Sequence, residues 1–279
     1  MMKIIRVFPR RTKLTPNDRY AFVGDPPMIR PEADEVHVSC TFTWDKEKAE
    51  RLQKAWSQYY RVVKLGGPVY GCTGLGSDGI QLPFTSGKYI KSGVTFTSRG
   101  CENQCPWCLV PFREGKLSEQ FNFPPGHLIQ DNNFLQCSQY HIDKVFEMLR
   151  YQGRPVSFTG GLDSRLVNQQ FVDELKTVPI DQIFLACDTD NAIKPLQKAV
   201  NLIGLPRDKV RCYVLLKFNP DETIAQATAR LAEVWEAGAI PFAQLYQPPD
   251  KWINYSKEWT RFTRTWQRPA ATKAFMRTK

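Results

Sequence analysis

Three cysteines stand close together in the middle of the chain and are the residues best suited to chemistry. Cys101, Cys105 and Cys108 are separated by three and by two residues, so their thiolates can share one metal centre. A structural zinc ion takes four tetrahedral ligands, and the nearest histidine, His127, lies nineteen residues after Cys108 and has no second histidine beside it. An iron–sulfur cluster bound by only three cysteines leaves one iron open, which is a place for chemistry as well as for electron transfer.

The elements that must position these cysteines follow a repetitive pattern from Gly93 onward. Short β-branched runs alternate with segments of helical period, which is typical of parallel βα units. We predict six strands, at residues 94–98, 128–132, 156–159, 182–187, 210–217 and 240–246, with helices at 141–151, 168–176, 191–202 and 222–236. Six units are too few to close an eight-stranded barrel, so the sequence predicts an α/β fold with a partial six-stranded (βα)6 barrel. Ligands of such sheets bind beyond the carboxyl ends of the strands.

The cysteine loop resembles the loop of the radical S-adenosylmethionine (radical SAM) superfamily. The resemblance rests on the cysteine spacing, on Trp107 just before the last cysteine, and on the loop's place after the first of six strands; it covers residues 93–250. It implies a 4Fe-4S cluster on Cys101, Cys105 and Cys108, whose open iron is chelated by the amino and carboxylate groups of S-adenosylmethionine (SAM). It also implies reductive cleavage of SAM to a 5′-deoxyadenosyl radical that abstracts hydrogen from a substrate, with a reductant such as flavodoxin or ferredoxin.

The resemblance also assigns roles, by position, to residues at the other strand ends. Trp107 would lie beside the adenine of SAM. Polar groups after the second or the third strand would hold its methionyl end, and either segment could hold the amino group. These residues are Asp131, Asn132 and the adjoining Asn133 after the second strand, and Gly160, Gly161, Asp163 and Arg165 after the third. Asp188 and Lys217, after the fourth and fifth strands, would contact ribose, carboxylate or substrate, and Arg165 could equally be a structural ion-pair partner.

Residues 1–66 are predicted to form a small separate α/β unit, with strands at 4–8, 35–42 and 61–65 and a helix at 45–59. The unit is similar to the Rossmann-like domain of cobalamin-dependent radical SAM enzymes and of methylthiotransferases. It contains no D-x-H-x-x-G sequence to ligate cobalt and only two cysteines, Cys40 and Cys72, where a second cluster needs three. We therefore expect a structural or substrate-holding unit and do not expect cobalamin to be an obligatory cofactor.

Residues 67–92 are rich in glycine and are predicted to form a linker. Residues 74–79 formally match G-x-G-x-x-G, but no strand runs into them and Pro83 follows where a helix should begin. We therefore reject a dinucleotide site there. Among the other cysteines, Cys40, Cys187 and Cys212 lie in apolar runs and are predicted to be buried, whereas Cys72 and Cys137 stay undecided.

The net charge of +10 is concentrated at the two ends of the chain. Residues 1–16 hold five basic and no acidic side chains, and residues 251–279 hold eight basic and one acidic. Such ends are either solvated tails or contact surfaces for a polyanion. In the last segment a predicted helix ends at Pro269 and has two faces. One face is aromatic, with Tyr255, Trp259, Phe262 and Trp266, and the other is basic, with Lys257, Arg261, Arg264 and Arg268.

The chain contains no apolar run long enough for a membrane span or a signal peptide, so we expect a soluble cytoplasmic protein. The sequence favours a radical SAM enzyme that modifies a nucleic acid or nucleotide, because both ends are basic. A peptide or small-molecule substrate is the alternative within that class. The alternative from another class is a non-catalytic zinc or iron–sulfur module that binds nucleic acid.

Overall fold

A computed structural model describes residues 2–70, 72–75, 81–83, 89–248 and 251–278, with the backbone alone for 72–75 and 81–83. The chain divides into two compact units, Met1–Val94 and Thr95–Lys279. Each unit is an α/β structure built on parallel strands, as predicted. Within the described residues, no helix has the length and apolar character needed to cross a membrane.

The first unit is a six-stranded sheet with one long helix. Its strands are β1 (Ile4–Phe8), β2 (Ala21–Val23), β3 (Glu35–Ser39), β4 (Val63–Gly67), β5 (Cys72–Leu75) and β6 (Gln81–Pro83), in the spatial order β2-β1-β3-β4-β5-β6. Strands β1 to β4 are parallel, and β5 and β6 are antiparallel to their neighbours. Helix α1 (Lys46–Ser57) buries Ala49, Leu52 and Trp56, which share one helical face, in the core with the alternating apolar residues of β1 and β3.

Two parts of the segment predicted as a linker, residues 67–92, instead extend this first sheet as β5 and β6. Its glycines hid the strands from sequence reasoning, because strand formation here depends on pairing with β4 and not on local propensity. Gly67 begins the turn with a φ of 108°, and a Cβ at this position would lie 2.6 Å from the carbonyl oxygen of Cys40. Most of the G-x-G-x-x-G string at 74–79 lies outside the described residues.

The second sheet begins with β7 (Gly93–Thr95), the strand in which the first unit ends and the second begins. A short antiparallel hairpin follows, β8 (Ser98–Arg99) with β9 (Ser118–Glu119). The cysteine loop and the short helix α2 (Val110–Arg113) connect the two hairpin strands. The sheet continues with β10 (Gly126–Ile129), β11 (Val156–Asp163), β12 (Ile180–Ala186), β13 (Val210–Leu216) and β14 (Ile240–Leu245). The six predicted strands therefore form, and they lie in chain order in one sheet, with parallel pairing from β10 to β14.

Helices cover this sheet and complete its core. They are α3 (Gln139–Gln152), α4 (Gln169–Leu175), α5 (Ile193–Ile203) and α6 (Ile224–Glu236), and the largest buried side chains between α3, α4 and the sheet are four phenylalanines. Ser138 caps α3 by accepting a hydrogen bond from the amide of His141, and a capping box of Thr223 and Gln226 begins α6. These local signals fix where α3 and α6 begin.

The C-terminal segment contains two helices where one was predicted. Helix α7 (Lys257–Gln267) ends as expected before Pro269, but that proline then begins α8 (Pro269–Arg277), because proline is favourable in the first turn of a helix. Within α7 the two predicted faces are confirmed, whereas Tyr255 and Arg268, which were predicted as parts of them, lie just outside the helix. Trp266 is fully buried and Trp259 and Phe262 pack against the core. The basic side chains Lys257, Arg261, Arg264 and Arg268 are exposed.

Candidate functional site

A cavity of about 310 Å³ lies at the carboxyl ends of β10, β11 and β12 and is bordered by the cysteine loop. Sequence reasoning had placed the site at this edge because ligands of parallel sheets bind there. Nine of the twelve residues predicted for the site line this cavity. They are Cys101, Cys105, Trp107, Cys108, Asn132, Gly161, Asp163, Arg165 and Asp188.

The base of the cysteine loop is closed by backbone contacts. Gly100 has a φ of 77°, and a Cβ there would collide with the carbonyl oxygen of Lys116, so only glycine lets the two ends of the loop approach so closely. The amide of Cys101 donates to the carbonyl oxygen of Gly115 at 3.2 Å, and the amide of Cys108 donates to that of Cys105 at 2.9 Å. The loop thus brings three thiols to one wall of the cavity.

Glu114 joins this loop to the next strand end. Its carboxylate forms an ion pair with Arg99, accepts a hydrogen bond from Asn132 Nδ2 at 2.6 Å, and lies 3.4 Å from the amide of Gly100. An ionised carboxylate can only accept hydrogen bonds. The amide nitrogen of Asn132 must therefore face Glu114, and its carbonyl oxygen is left for other donors.

A second set of hydrogen bonds ties the loop to the end of β11. The amide of Glu102 donates to Gln136 Oε1 at 2.9 Å, Gln136 Nε2 donates to Asn103 Oδ1 at 3.1 Å, and Asn103 Nδ2 donates to Asp163 Oδ2 at 2.9 Å. Asp163 also binds Arg165 through both carboxylate oxygens, at 2.9 and 2.5 Å. Burial opposes the ionisation of Asp163, but the hydrogen bonds from Arg165 and Asn103 outweigh it and hold the pKa of this carboxyl below its ordinary value.

The three thiols have different surroundings. Cys101 Sγ is approached by two N–H donors, the amide of Asn103 at 3.4 Å and Asn133 Nδ2 at 3.8 Å. Burial, together with the charges of the neighbouring cysteines and of Asp188, raises the pKa of Cys105 and Cys108. These thiols therefore hold their protons in the protein alone, and a metal centre would have to displace those protons on binding.

The buried side chain of Asn133 indicates what kind of ligand would suit the cavity. Its side chain is 3% exposed, its Nδ2 faces Cys101, and its Oδ1 has no hydrogen-bond partner. A buried polar atom left unsatisfied costs about 1–3 kcal/mol. Since Asn133 lines the cavity together with Asn132, a ligand that carries N–H groups would satisfy this oxygen. At this point the cavity therefore suits a ligand that donates hydrogen bonds, such as an amine.

The lining of the cavity also includes an aromatic ring and a carboxylate, those of Trp107 and Asp188. The amide of Leu215 donates to Asp188 Oδ1 at 3.0 Å, and the Trp107 indole favours the ionised form of Asp188. Burial nevertheless dominates and raises the pKa of Asp188. The ring of Trp107 meets the ring of Phe218 edge to face at 5.3 Å, which limits the positions that the indole can adopt.

Three of the twelve predicted residues, Asp131, Gly160 and Lys217, are not among the residues that line the cavity. Asp131 is buried and accepts hydrogen bonds from the amide and hydroxyl of Thr97, both at 2.6 Å, and from the Ser98 hydroxyl at 2.8 Å. Burial outweighs these bonds and raises the pKa of Asp131 to about 6. The same bonds account for the end of the first strand at Thr95, where residues 94–98 were predicted, since they take the amide of Thr97 out of the sheet.

The contacts of Gly160 and Lys217 are also with the protein's own backbone and not with the cavity. A Cβ on Gly160 would collide with the backbone carbonyl oxygen of Asp131, so this glycine lets β11 approach the end of β10. The Lys217 ammonium is bonded to the carbonyl oxygens of Pro220 and Glu222 and lies 5.3 Å from the ring centroid of Trp259. Its position after the fifth strand predicts a ligand contact, but the chain turns directly after this residue, and the following backbone binds the ammonium group.

The structure also adds residues that sequence reasoning did not select. Asn103 lies inside the cysteine motif, Glu114 lies six residues after Cys108 and Gln136 twenty-eight residues after it, and none of the three carries a recognisable signal. Among the described residues, no three His, Cys, Asp or Glu side chains are close enough together to hold one metal ion.

Cys40, Cys187 and Cys212 are buried as predicted, and Cys137 is buried too, which raises its pKa to about 12. The side chain of Cys72 lies outside the described residues.

Neither the known protein-family models nor the curated proteins include a match to this chain. The class of protein must therefore be argued from the fold and from the cavity.

Proposed function

We propose that the second unit is the partial barrel of a radical SAM enzyme and that Cys101, Cys105 and Cys108 hold a 4Fe-4S cluster. The observation that carries the proposal is the placement of all three thiols on the wall of one cavity, at the carboxyl ends of parallel strands, beside the unsatisfied oxygen of Asn133. When bound, such a cluster leaves one iron open for SAM and supplies the electron that cleaves its C–S bond.

The residues that line the cavity have different roles in this proposal. The backbone amide of Asn103 and Nδ2 of Asn133 donate hydrogen bonds towards Cys101 Sγ, and such bonds to ligating sulfur tune a cluster's reduction potential. The oxygens of Asn132 and Asn133 accept from the amino group of SAM, and Arg165 holds its carboxylate. Trp107 and Asp188 flank the adenosine. The enclosing loop restricts the entry of water and of competing reactants.

The first test is the content of the metal centre. Anaerobic reconstitution with iron and sulfide should give about four of each per chain, and addition of dithionite and SAM should yield 5′-deoxyadenosine. Cys105→Ala should abolish both results. Cys137→Ala is the matched control, because this cysteine is buried outside the cavity, and it should retain them. One zinc ion per chain would favour the non-catalytic module, and a loaded, reduced protein that binds SAM without cleaving it would refute the enzyme.

The substrate class within this proposal is a nucleic acid or nucleotide, with a peptide or small molecule as the alternative. A low-potential flavodoxin or ferredoxin is the proposed reductant, the proposed compartment is the cytoplasm, and cobalamin is not an obligatory cofactor. Equilibrium dialysis with hydroxocobalamin tests the last point, since stoichiometric binding would contradict it.

A further inference from the structure

The first unit has a carboxyl edge of its own, which the proposed chemistry does not use. From β1 the chain passes to β2 on one side of the sheet and then to β3 on the other. The strand order reverses at β1 and β3, and ligands of open parallel sheets bind in the crevice at such a reversal. The segments that leave these two strands at this edge are residues 9–15 and 40–45.

Two aromatic rings lie on the segment after β3. Phe42 and Trp44 stack with their ring centroids 4.9 Å apart and their planes 13° from parallel, and Trp44 is 47% exposed. The guanidinium of Arg10, on the segment after β1, lies 5.6 and 5.9 Å from the two ring centroids. Buried Asp45 holds this guanidinium through two hydrogen bonds, at 2.5 and 2.6 Å. The aromatic pair is therefore fixed in place before any ligand arrives.

Basic side chains lie on the segment that holds Arg10 and just beyond the segment that holds this pair. Asp45 balances the charge of Arg10, but Arg11 and Lys13 on the same segment and Lys46 after Trp44 are exposed and form no ion pair with any described residue. Glu47 is the nearest exposed acidic side chain along the chain. Partly exposed aromatic side chains among basic ones are features with which proteins bind single strands, through base stacking and phosphate contacts.

We propose that this surface, formed by Arg10, Arg11, Lys13, Phe42, Trp44 and Lys46 and called here the Trp44 surface, binds single-stranded nucleic acid. A base stacks on Trp44, and the phosphates on either side meet Arg11, Lys13 and Lys46. Binding at this surface does not require the metal centre. The conclusion that the bound strand is also the substrate rests on the proposed function.

The test measures binding to the full-length protein without a cluster. The probes are oligouridylate and oligothymidylate of about twelve nucleotides, which distinguish RNA from DNA, and linear polyphosphate, which has charge without bases. Trp44→Ala should weaken binding of the oligonucleotides by between about fivefold and about a hundredfold, the range for one lost stacking contact. Binding of polyphosphate should not change.

A second variant separates charge from stacking. Replacing Arg11, Lys13 and Lys46 together by Gln should weaken binding of all three probes and should reduce the slope of log affinity against log salt by up to about 2. Trp252→Ala is the matched control, because this tryptophan is 51% exposed in the other unit, and it should bind as the wild type does.

Two results would overturn the proposal: oligonucleotide binding that Trp44→Ala leaves intact, or tight hydroxocobalamin binding that Trp44→Ala abolishes. Cys105→Ala keeps this test apart from that of the proposed function. It should bind oligonucleotides normally even though it cannot hold the cluster, and loss of binding in that variant would also contradict the proposal.

Discussion

The two units end their parallel strands in opposite ways. At the edge of the second unit the polar groups are enclosed. Asp131 and Asn133 are buried, and Glu114 contacts three partners. At Gly160 two backbone segments lie so close together that a Cβ atom would not fit between them. At the edge of the first unit Trp44 is about half exposed, and the side chains of Arg11, Lys13 and Lys46 are exposed. One edge suits a small ligand held in a fixed orientation, and the other suits an extended polymer.

This difference has an energetic consequence that can be measured. Enclosed polar groups and close backbone approaches contribute to folding as well as to the site, because removing them leaves a clash or an unsatisfied atom. Exposed rings and cations contribute to binding but little to folding. Substitutions at the enclosed edge should therefore destabilise the protein, whereas those at the open edge should leave its free energy of unfolding nearly unchanged.

Gly160→Ala should have the largest effect. Its Cβ would occupy the position of the Asp131 carbonyl oxygen, and because that atom belongs to the backbone the chain must move to make room. We expect a loss of about 4 kcal/mol or more in urea unfolding. Gly153→Ala is the matched control: it has a φ of 59° but nothing within 4 Å of the new Cβ, so it should cost only about 1–2 kcal/mol. Equal losses would show that the edge is not closely packed.

Asp131→Asn should change how stability depends on pH. The folded protein raises the pKa of Asp131 from 3.8 to about 6, so the folded state binds this proton more tightly than the unfolded chain does. The wild type should therefore lose stability relative to Asp131→Asn as the pH rises from about 4 to about 6, by on the order of 3 kcal/mol. Unfolding both proteins at either end of this range measures the difference. A difference that stays constant with pH would contradict the burial argument.

The same contrast explains which parts of the molecule could be predicted from the sequence. The six strands of the second sheet and the faces of α7 follow from periodicity, and the position of the cavity follows from the strand ends. Lys217, Asp131 and Gly160 were predicted as ligand contacts because they share that edge, but position along a strand does not show which way the chain turns next. The Lys217 ammonium instead donates hydrogen bonds to the carbonyl oxygens of Pro220 and Glu222.

The contacts of Glu114 could not have been predicted, because they join residues far apart in sequence. Arg99 and Asn132 meet this carboxylate only after the hairpin of β8 and β9 has formed beside β10. The Trp44 surface was missed for a related reason. The basic residues near the N-terminus were visible as charge, but their neighbourhood with Phe42 and Trp44 depends on the pairing of β1 with β3.

Glu114→Gln should have an intermediate effect. The change leaves Arg99 without its ionised partner and allows the Asn132 amide to turn over, because a glutamine side chain both donates and accepts. We expect a loss of about 2 kcal/mol in urea unfolding and, if the proposed function holds, roughly tenfold weaker binding of SAM to reconstituted protein. Glu119→Gln is the control, because Glu119 contacts Ser138 and does not line the cavity. SAM affinity lowered equally by both changes would remove Glu114 from the positioning of Asn132.

The smallest effect is expected on the basic face of α7, which is exposed and cationic like the Trp44 surface. Replacing Arg261, Arg264 and Arg268 by Gln should change the free energy of unfolding by less than about 0.5 kcal/mol, because exposed charges contribute little to folding. Trp266→Ala on the opposite face is the contrasting variant, and since Trp266 is fully buried this change should cost about 3–5 kcal/mol.

A salt titration of oligouridylate binding then compares the two cationic surfaces. The aromatic rings of α7 pack against the core and are not available for stacking, so we expect the triple variant to keep the wild-type slope. A flatter slope would show that α7 also contacts the phosphate backbone and that the strand extends beyond the Trp44 surface.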